Sequence, residues 1–244
     1  MRVAVISDIH GNAMALEAVL ADITCHDVDK ILNLGDHLAG PIEPRRTADL
    51  LAGLDMVAIR GNTDRYLVEG DHEDLSESDD WILGQVKGQP MEWLKTLPET
   101  AIYGDTIFLS HGSPRSDEKY WLDRPAGGGR LRVATLEEVE AELPAERLPV
   151  YCCGHTHVAR VVTLPDGTVV FNPGSVGRPS FTMSDPESVS RLSPAAAYAI
   201  VEQSAGRWHV NLRQVEYEHM AAAALARAHG SDTWARDLEE GRRR

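Results

Sequence analysis

Cysteine is scarce in this chain: only Cys25, Cys152 and Cys153 among 244 residues. Three thiols, two of them adjacent, do not make a disulfide framework, so a reducing compartment, the cytoplasm, is the expected setting. Long apolar runs are missing too. Nothing approaches the ~18 consecutive apolar residues of a spanning helix, and the opening run from Val3 to Ile6 breaks at Ser7-Asp8, far short of a signal-peptide core. No membrane partner is expected. Positive charge is the third shortage: 24 Lys and Arg stand against 38 Asp and Glu, a formal net charge of −14. Such a surface repels phosphate backbones and excludes extended nucleic-acid binding by counterion release. It still admits a small phosphate-bearing substrate where bound cations reverse the sign locally. Repeats, low-complexity segments and linkers are also absent, so one domain over residues 1–244 is expected. At this length a compact chain buries ~70–75% of its unfolded surface and needs no staples.

The hydrophobic pattern alternates between two periods. A β-branched run at Val3–Ile6 precedes a helical pattern through Ala13, Leu16, Val19, Leu20 and Ile23, with Asn12 as its N-cap. The pattern then predicts a strand at 31–34, a helix at 45–54 and a strand at 56–59, the signature of βαβ units and a mainly parallel sheet. The acidic run over 69–80, which includes His72, reads as a solvated face. A helix follows at 91–97, then strands at 101–103 and 106–109 around Gly104-Asp105, and a Glu- and Ala-rich helix at 136–143. Strands are predicted again at 150–153, 159–164, 169–171, 198–202 and 209–214, with Pro165-Asp166-Gly167 as a turn. Helices at 218–228 and 233–240 close the chain.

Five polar motifs share one position in this pattern. Asp8-Ile9-His10, Gly35-Asp36, Gly61-Asn62-Thr63-Asp64, Ser110-His111-Gly112 and Gly154-His155-Thr156-His157 each follow a predicted strand. The carboxyl ends of strands are where open α/β sheets form ligand sites. Residues two apart in an extended backbone point the same way, so Asp8 and His10 face one side. Any one motif alone reads as a turn or a satisfied histidine. With Asp64 set aside, they together bring two Asp, one Asn and four His to one edge. Imidazole with carboxylate suits Mn, Fe, Zn or Co better than Ca.

The ordered set Asp-x-His, Gly-Asp, Gly-Asn-x-Asp, His-Gly and Gly-His-Thr-His, over residues 8–157, resembles the calcineurin-like metallophosphoesterase superfamily. The strings 110–115 (Ser-His-Gly-Ser-Pro-Arg) and 172–177 (Asn-Pro-Gly-Ser-Val-Gly) resemble its compact bacterial branch of small phosphodiesterases and phosphatases. The resemblance implies an α/β fold, a four-layer αββα sandwich of two mixed sheets flanked by helices. It also implies two divalent ions about 3.5 Å apart, with Mn²⁺ the first expectation and Fe, Zn, Co or Ni the alternatives. Asp8, His10 and His157 would hold the first ion, Asn62, His111 and His155 the second, and Asp36 would bridge them. A hydroxide between two dications has its pKa lowered from 15.7 to ~7 and would attack phosphorus in line. The expected activity is hydrolysis of a small phosphorylated substrate, a phosphodiester or nucleotide. Phosphomonoesterase and dinucleoside polyphosphate hydrolase are the alternatives within the class. A fold retained as an inactive scaffold is the non-enzyme alternative, and a homodimer is a further expectation.

The chain departs from the family pattern at the third motif, where most relatives carry a histidine that protonates the leaving group. Thr63 stands there. General-acid help is worth ~10²–10⁴-fold, so its loss favours good leaving groups such as aryl esters and phosphoanhydrides. Three residues around this point are candidate catalytic residues: His37, Thr63 and Asp64. Either His37 supplies the missing acid from the neighbouring loop, or it is an exposed or core-satisfied histidine. Asp64 is expected to fix the loop. Arg65, Arg115 and Arg178 stand beside motifs and are candidate substrate-binding residues, as bidentate phosphate donors or as surface ion pairs. Cys152 and Cys153 read as packed thiols.

Overall fold

The computed structural model of the chain describes residues 1–70, 77–126, 131–179 and 193–241. His72 and residues 71–76 of the acidic run lie outside them. In order the elements are β1 (Arg2–Ile6), α1 (Ala13–Ile23), β2 (Lys30–Asn33), α2 (Pro44–Ala52), β3 (Met56–Ala58), α3 (Asn62–Glu69), α4 (Glu77–Val86) and α5 (Gln89–Thr96). There follow β4 (Thr100–Tyr103), β5 (Ile107–Ser110), β6 (Asp123–Pro125), β7 (Leu131–Val133), α6 (Leu136–Glu140), β8 (Val150–Cys152), β9 (Arg160–Thr163) and β10 (Val169–Asn172). The chain ends with β11 (Ala196–Ser204), β12 (Arg207–Val215), α7 (His219–Ala228) and α8 (Asp232–Glu240). No helix among the described residues is long and apolar enough to cross a membrane.

Two five-stranded mixed sheets face each other, ordered β12-β11-β1-β2-β3 and β4-β5-β8-β10-β9, with β6-β7 a separate hairpin. The period of two along β1 explains its burial on both sides. Val3 and Val5 join Leu32, Ile107, Val150 and Phe171 between the sheets. Ala4 and Ile6 turn to the helix layer, where Leu16 and Val19 of α1 cover them. The second sheet is covered on its outer face by Trp121, Leu122 and Val139. This is the four-layer arrangement that the motif resemblance implies.

Three differences from the sequence pattern have local causes. The sheets are mixed rather than mainly parallel, because β11 joins β1 antiparallel on the side away from β2. β11 and β12 run nine residues each and turn through Ala205-Gly206; both turn residues have positive φ, the twist a two-residue hairpin needs. The weak β propensity of Ala196 and Ala197 hides the start of β11. The predicted helix at 136–143 stops at Glu140, because Leu143 precedes Pro144 and is pushed from helical geometry. Two elements were not legible: α4 within the acidic region and the β6-β7 hairpin.

Candidate metal centre

Parallel pairing makes the site. β1, β2 and β3 run parallel in one sheet, and β5 and β8 in the other, so the strand ends that carry the motifs lie along one edge. Backbone bonds tie the loops together there. Asp8 N–H donates to the Gly35 carbonyl (3.0 Å), His10 N–H to that of Asp36 (2.9 Å), and Gly154 N–H to that of His111 (2.7 Å). The glycines are needed at the closest approaches. A Cβ on Gly61 would strike the Asp36 carboxylate, and one on Gly154 would strike Ser7 and the carboxylate of Asp8.

The backbone bends sharply at the candidate ligands. Asp8, His10, Asp36, His155 and His157 all take left-handed φ, between 50° and 68°. Non-glycine residues adopt this region uncommonly, Asp, Asn and His more readily than others. Each such residue costs ~1–3 kcal/mol, so their clustering at one edge marks a site rather than a run of ordinary turns.

The side chains meet in two overlapping groups, Asp8 with His10 and His157, and Asp8 with Asp36 and His111, each with its donor atoms within 4.8 Å of one another. His157 Nε2 stands 3.3 Å from Asp8 Oδ1, and His10 Nε2 stands 3.6 Å from Asp36 Oδ2. His111 Nε2 lies 3.4 Å from Asp36 Oδ2 and 3.9 Å from Asp8 Oδ1. Asn62 Oδ1 lies 3.0 Å from both His111 Nε2 and His155 Nδ1. All seven residues are buried. Both carboxylates lie within 4 Å of imidazole nitrogens in both groups.

This donor set fits divalent cations. Nδ1 of His10 bonds the Ala39 carbonyl (3.0 Å) and Nδ1 of His111 bonds the Leu34 carbonyl (2.8 Å), so each Nδ1 is the donor. Their Nε2 lone pairs then point inward. His10 Nε2 meets His157 Nε2 at 3.2 Å, and His111 Nε2 faces oxygens of Asn62 and Asp36. Acceptor atoms this close need a cation or a proton between them. Without an ion a proton must serve. Burial would lower His111, but Asp36 and Asp8 outweigh it and hold it up at about 10. Burial would likewise raise the carboxyls, yet His157 and His111 bring Asp8 to about 2, and His111 and His10 put Asp36 well below the carboxylate range. Burial holds His10 and His155 neutral, at about 4, the form a ligand requires.

Asp64 sits behind this cluster, fully buried. Its carboxylate accepts from the backbone N–H of Asp36 (2.8 Å), His37 (2.9 Å) and Gly61 (3.0 Å), and from His37 Nδ1 (2.7 Å). One carboxylate thus joins the second and third motifs. Gly61 is the N-cap of α3, so the third motif opens a helix instead of ending as a loop, and Thr63 N–H donates to Asp36 Oδ1 (2.9 Å). Thr63 therefore meets the site through its backbone. Its hydroxyl is buried with no partner among the described residues.

His37 is fully buried beside Asp64. Its ring has no exposed surface, is held by Asp64, and packs edge-on against Trp93 with centroids 4.9 Å apart. Its Nε2 is buried with no hydrogen-bond partner among the described residues, so only one of the two ring nitrogens is satisfied.

The three arginines part company. Arg65 is paired with Asp117 (2.7 Å) and Glu118 (2.8 Å), and Arg178 with Asp237 (2.9 Å). Arg115 is exposed and makes no ion pair among the described residues. Arg65, His111, Ser113 and Arg115 line a cleft of about 320 Å³. Two aromatic neighbours of the cluster carry no sequence signal, because neither stands in a motif: Tyr120 lies 5.2 Å from the His155 ring and Trp234 5.6 Å from the His10 ring. Cys152 and Cys153 are buried core thiols, pushed up in pKa by that burial.

Comparisons with known proteins bear on the family and the fold. Residues 1–194 match the family model of the calcineurin-like phosphoesterase superfamily domain. An uncharacterised protein of Methanocaldococcus jannaschii is 27% identical over 191 residues, which cover 72% of this chain and 76% of that protein. The crystal structure of a metallophosphoesterase from Sphaerobacter thermophilus superposes with a TM-score of 0.78 at 27% identity, covering 99% of this chain and all of the other. A hypothetical protein from Pyrococcus horikoshii shares the fold, with a TM-score of 0.73 at 19% identity over 100% of this chain and 99% of that one.

Proposed function

We propose, for a chain that belongs to the calcineurin-like phosphoesterase superfamily, that it hydrolyses small phosphate esters bearing good leaving groups, phosphodiesters or nucleotides foremost, with two divalent ions of which Mn²⁺ is the preferred pair. The observation that carries the reading is the convergence of buried imidazole lone pairs on two shared carboxylates. Asp8, His10, Asp36 and His157 would hold one ion. Asp36, Asn62, His111 and His155, with Asp8 in reach, would hold the other. Such ions supply Lewis acidity to the phosphoryl oxygens and make water a competent nucleophile at neutral pH.

The chain's own residues do the rest. Carbonyls of Ala39 and Leu34 fix the tautomers of His10 and His111, so that both Nε2 atoms face inward. Asp64 and the Thr63 N–H hold the Asp36 carboxylate in place. His37 acts with Asp64 as a positioning residue. The Thr63 hydroxyl is too weak an acid near neutral pH and the His37 ring is buried, so on this reading neither donates a proton to the leaving group, which favours aryl esters and phosphoanhydrides over alkyl esters. Arg115 is the guanidinium available to a substrate anion in the cleft beside His111.

The test uses metal-depleted protein with Mn²⁺ restored, assayed on bis-p-nitrophenyl phosphate, p-nitrophenyl phosphate and an alkyl monoester. Mn²⁺-dependent hydrolysis of the aryl esters, faster on the diester, is the expected outcome, with loss of activity in Asp36→Asn. Absence of metal-dependent hydrolysis from all three substrates overturns the reading.

A further inference from the structure

The C-terminal helices lie beyond residue 194, where the family match ends, yet they touch the candidate metal centre. α7 and α8 pack through Ala222, Ala223, Ala226, Ala235 and Leu238, with Ile42 from the loop after β2 in the same cluster. Trp234 and Asp237, three residues apart on α8, share one face of the helix. That face meets the loop carrying Asp8 and His10.

The contacts form a chain of fixed geometry. The indole of Trp234 meets the His10 ring edge-to-face, centroids 5.6 Å apart and planes at 74°. It also covers Gly40, where a Cβ would come within 3.2 Å of the indole edge. The Arg178 guanidinium lies over the indole at 4.0 Å and is anchored by the fully buried Asp237, through Nη2 (2.9 Å) and Nε (3.3 Å) to one carboxylate oxygen. The backbone leading into Arg178 is bound to the ligand loop as well. Ser175 Oγ donates to the Asp8 carbonyl (2.8 Å), Gly177 N–H donates to the same oxygen (3.0 Å), and Arg178 N–H donates to Ser175 Oγ (2.9 Å). Both ends of the unit are therefore pinned.

The bond from His10 Nδ1 to Ala39 sets one direction of the imidazole but does not by itself set the tilt of its plane. Two flat neighbours limit that tilt, the His157 ring at 5.0 Å from within the cluster and the indole of Trp234 from outside it, and groups that orient a ligating histidine govern metal affinity. We propose that Trp234, held by Arg178 and Asp237, is the positioning residue that sets the ring plane of His10, so that the C-terminal helical hairpin is a working part of the first metal site. The inference rests on reading the buried cluster as a metal centre.

Its test is metal binding. Mn²⁺ titration calorimetry on the metal-depleted full chain, with Co²⁺ absorption as a second readout, is compared for wild type, Trp234→Ala, Trp234→Leu, Trp234→Phe, His10→Ala and Arg227→Ala. Wild type is expected to bind two ions. Trp234→Ala and Trp234→Leu should weaken one of them about 10–100-fold, the range found when a ligand's orienting partner is removed. The same ion should be lost in His10→Ala, with a matching change in the Co²⁺ spectrum. Trp234→Phe keeps a flat ring and should recover most of the affinity. Arg227→Ala cuts the pairs with Glu239 (2.8 Å) and Asp232 (3.3 Å) across the hairpin without touching His10, and should bind both ions as wild type does. Equal binding of both ions by Trp234→Ala, or parallel losses in Trp234→Ala and Arg227→Ala, overturns the assignment. A wild-type protein that binds no metal refutes the parent reading instead.

Discussion

Replacing Asp64 by asparagine perturbs the joint between two loops that carry candidate ligands, with almost no change in volume. The carboxylate is fully buried and takes four hydrogen bonds, three on Oδ2 and one on Oδ1. Asparagine keeps the three bonds if its oxygen occupies the Oδ2 position. Its NH₂ group then faces the His37 N–H, donor against donor, leaving that buried N–H without a partner at ~1–3 kcal/mol. The retained bonds fall from charge-assisted to neutral strength, about half as strong. Removing a buried charge returns part of this through relieved desolvation. The net loss is about 2–4 kcal/mol, or roughly 5–15 °C in Tm at the ~2–4 °C per kcal/mol typical of this size. Because Asp64 holds the Asp36 N–H, Mn²⁺ affinity should fall about 10–100-fold along with stability. Urea denaturation of the metal-free protein and calorimetric Mn²⁺ titration measure the two effects. Stability within 0.5 kcal/mol of wild type (about the scatter of neutral surface changes), together with unchanged Mn²⁺ affinity, would refute the joint.

Two further outcomes follow from burial and charge. Burial keeps His10 and His155 at about 4, so the unfolded chain takes up protons near 6.5 that the folded chain refuses, and metal-free stability should fall as pH drops from 6.5 towards 4. His111, which burial would depress but Asp36 and Asp8 raise to about 10, keeps a proton the unfolded chain releases, so stability should also fall as pH rises from 6.5 towards 10. Urea midpoints across pH should therefore peak near 6.5 without metal; saturating Mn²⁺, which displaces that proton, should remove the alkaline decline. A metal-free midpoint that climbs steadily to pH 9 contradicts this balance. A thiol reagent such as Ellman's should modify Cys25, which is exposed, and leave the buried Cys152 and Cys153 untouched until the chain unfolds. Fast reaction of all three in native buffer would place the latter pair outside the core.

Local rules made much of the molecule legible. The period of two at Val3–Ile6 and the cap at Asn12 announce β1 and α1, and the Asn12 side chain accepts the Ala15 N–H as a cap should. Short-range chemistry also exposes the five motifs, since strand, turn and ligand stand within a few residues of each other. Elements with mixed or weak propensity, such as α4 and the Ala-rich start of β11, escape the same rules, because packing decides them.

What the sequence alone determined is the inventory: alternating strands and helices, seven candidate donors placed at strand ends, a deficit of positive charge, and a threonine in the third motif. Tertiary structure decided what each residue faces. His37 stands next to the candidate ligand Asp36 in the chain, but its ring is fully buried against Trp93. Arg65 and Arg178 stand next to motifs but are spoken for by carboxylates that the fold delivers. Trp234, far from any motif, lies against His10. Neighbours in sequence share only a backbone direction, while a site is built from approaches between segments such as Asp8 and His155, which lie 147 residues apart and bond through the backbone of one and the carboxylate of the other. Those approaches depend on how two sheets close on each other, a long-range packing outcome that no local pattern encodes.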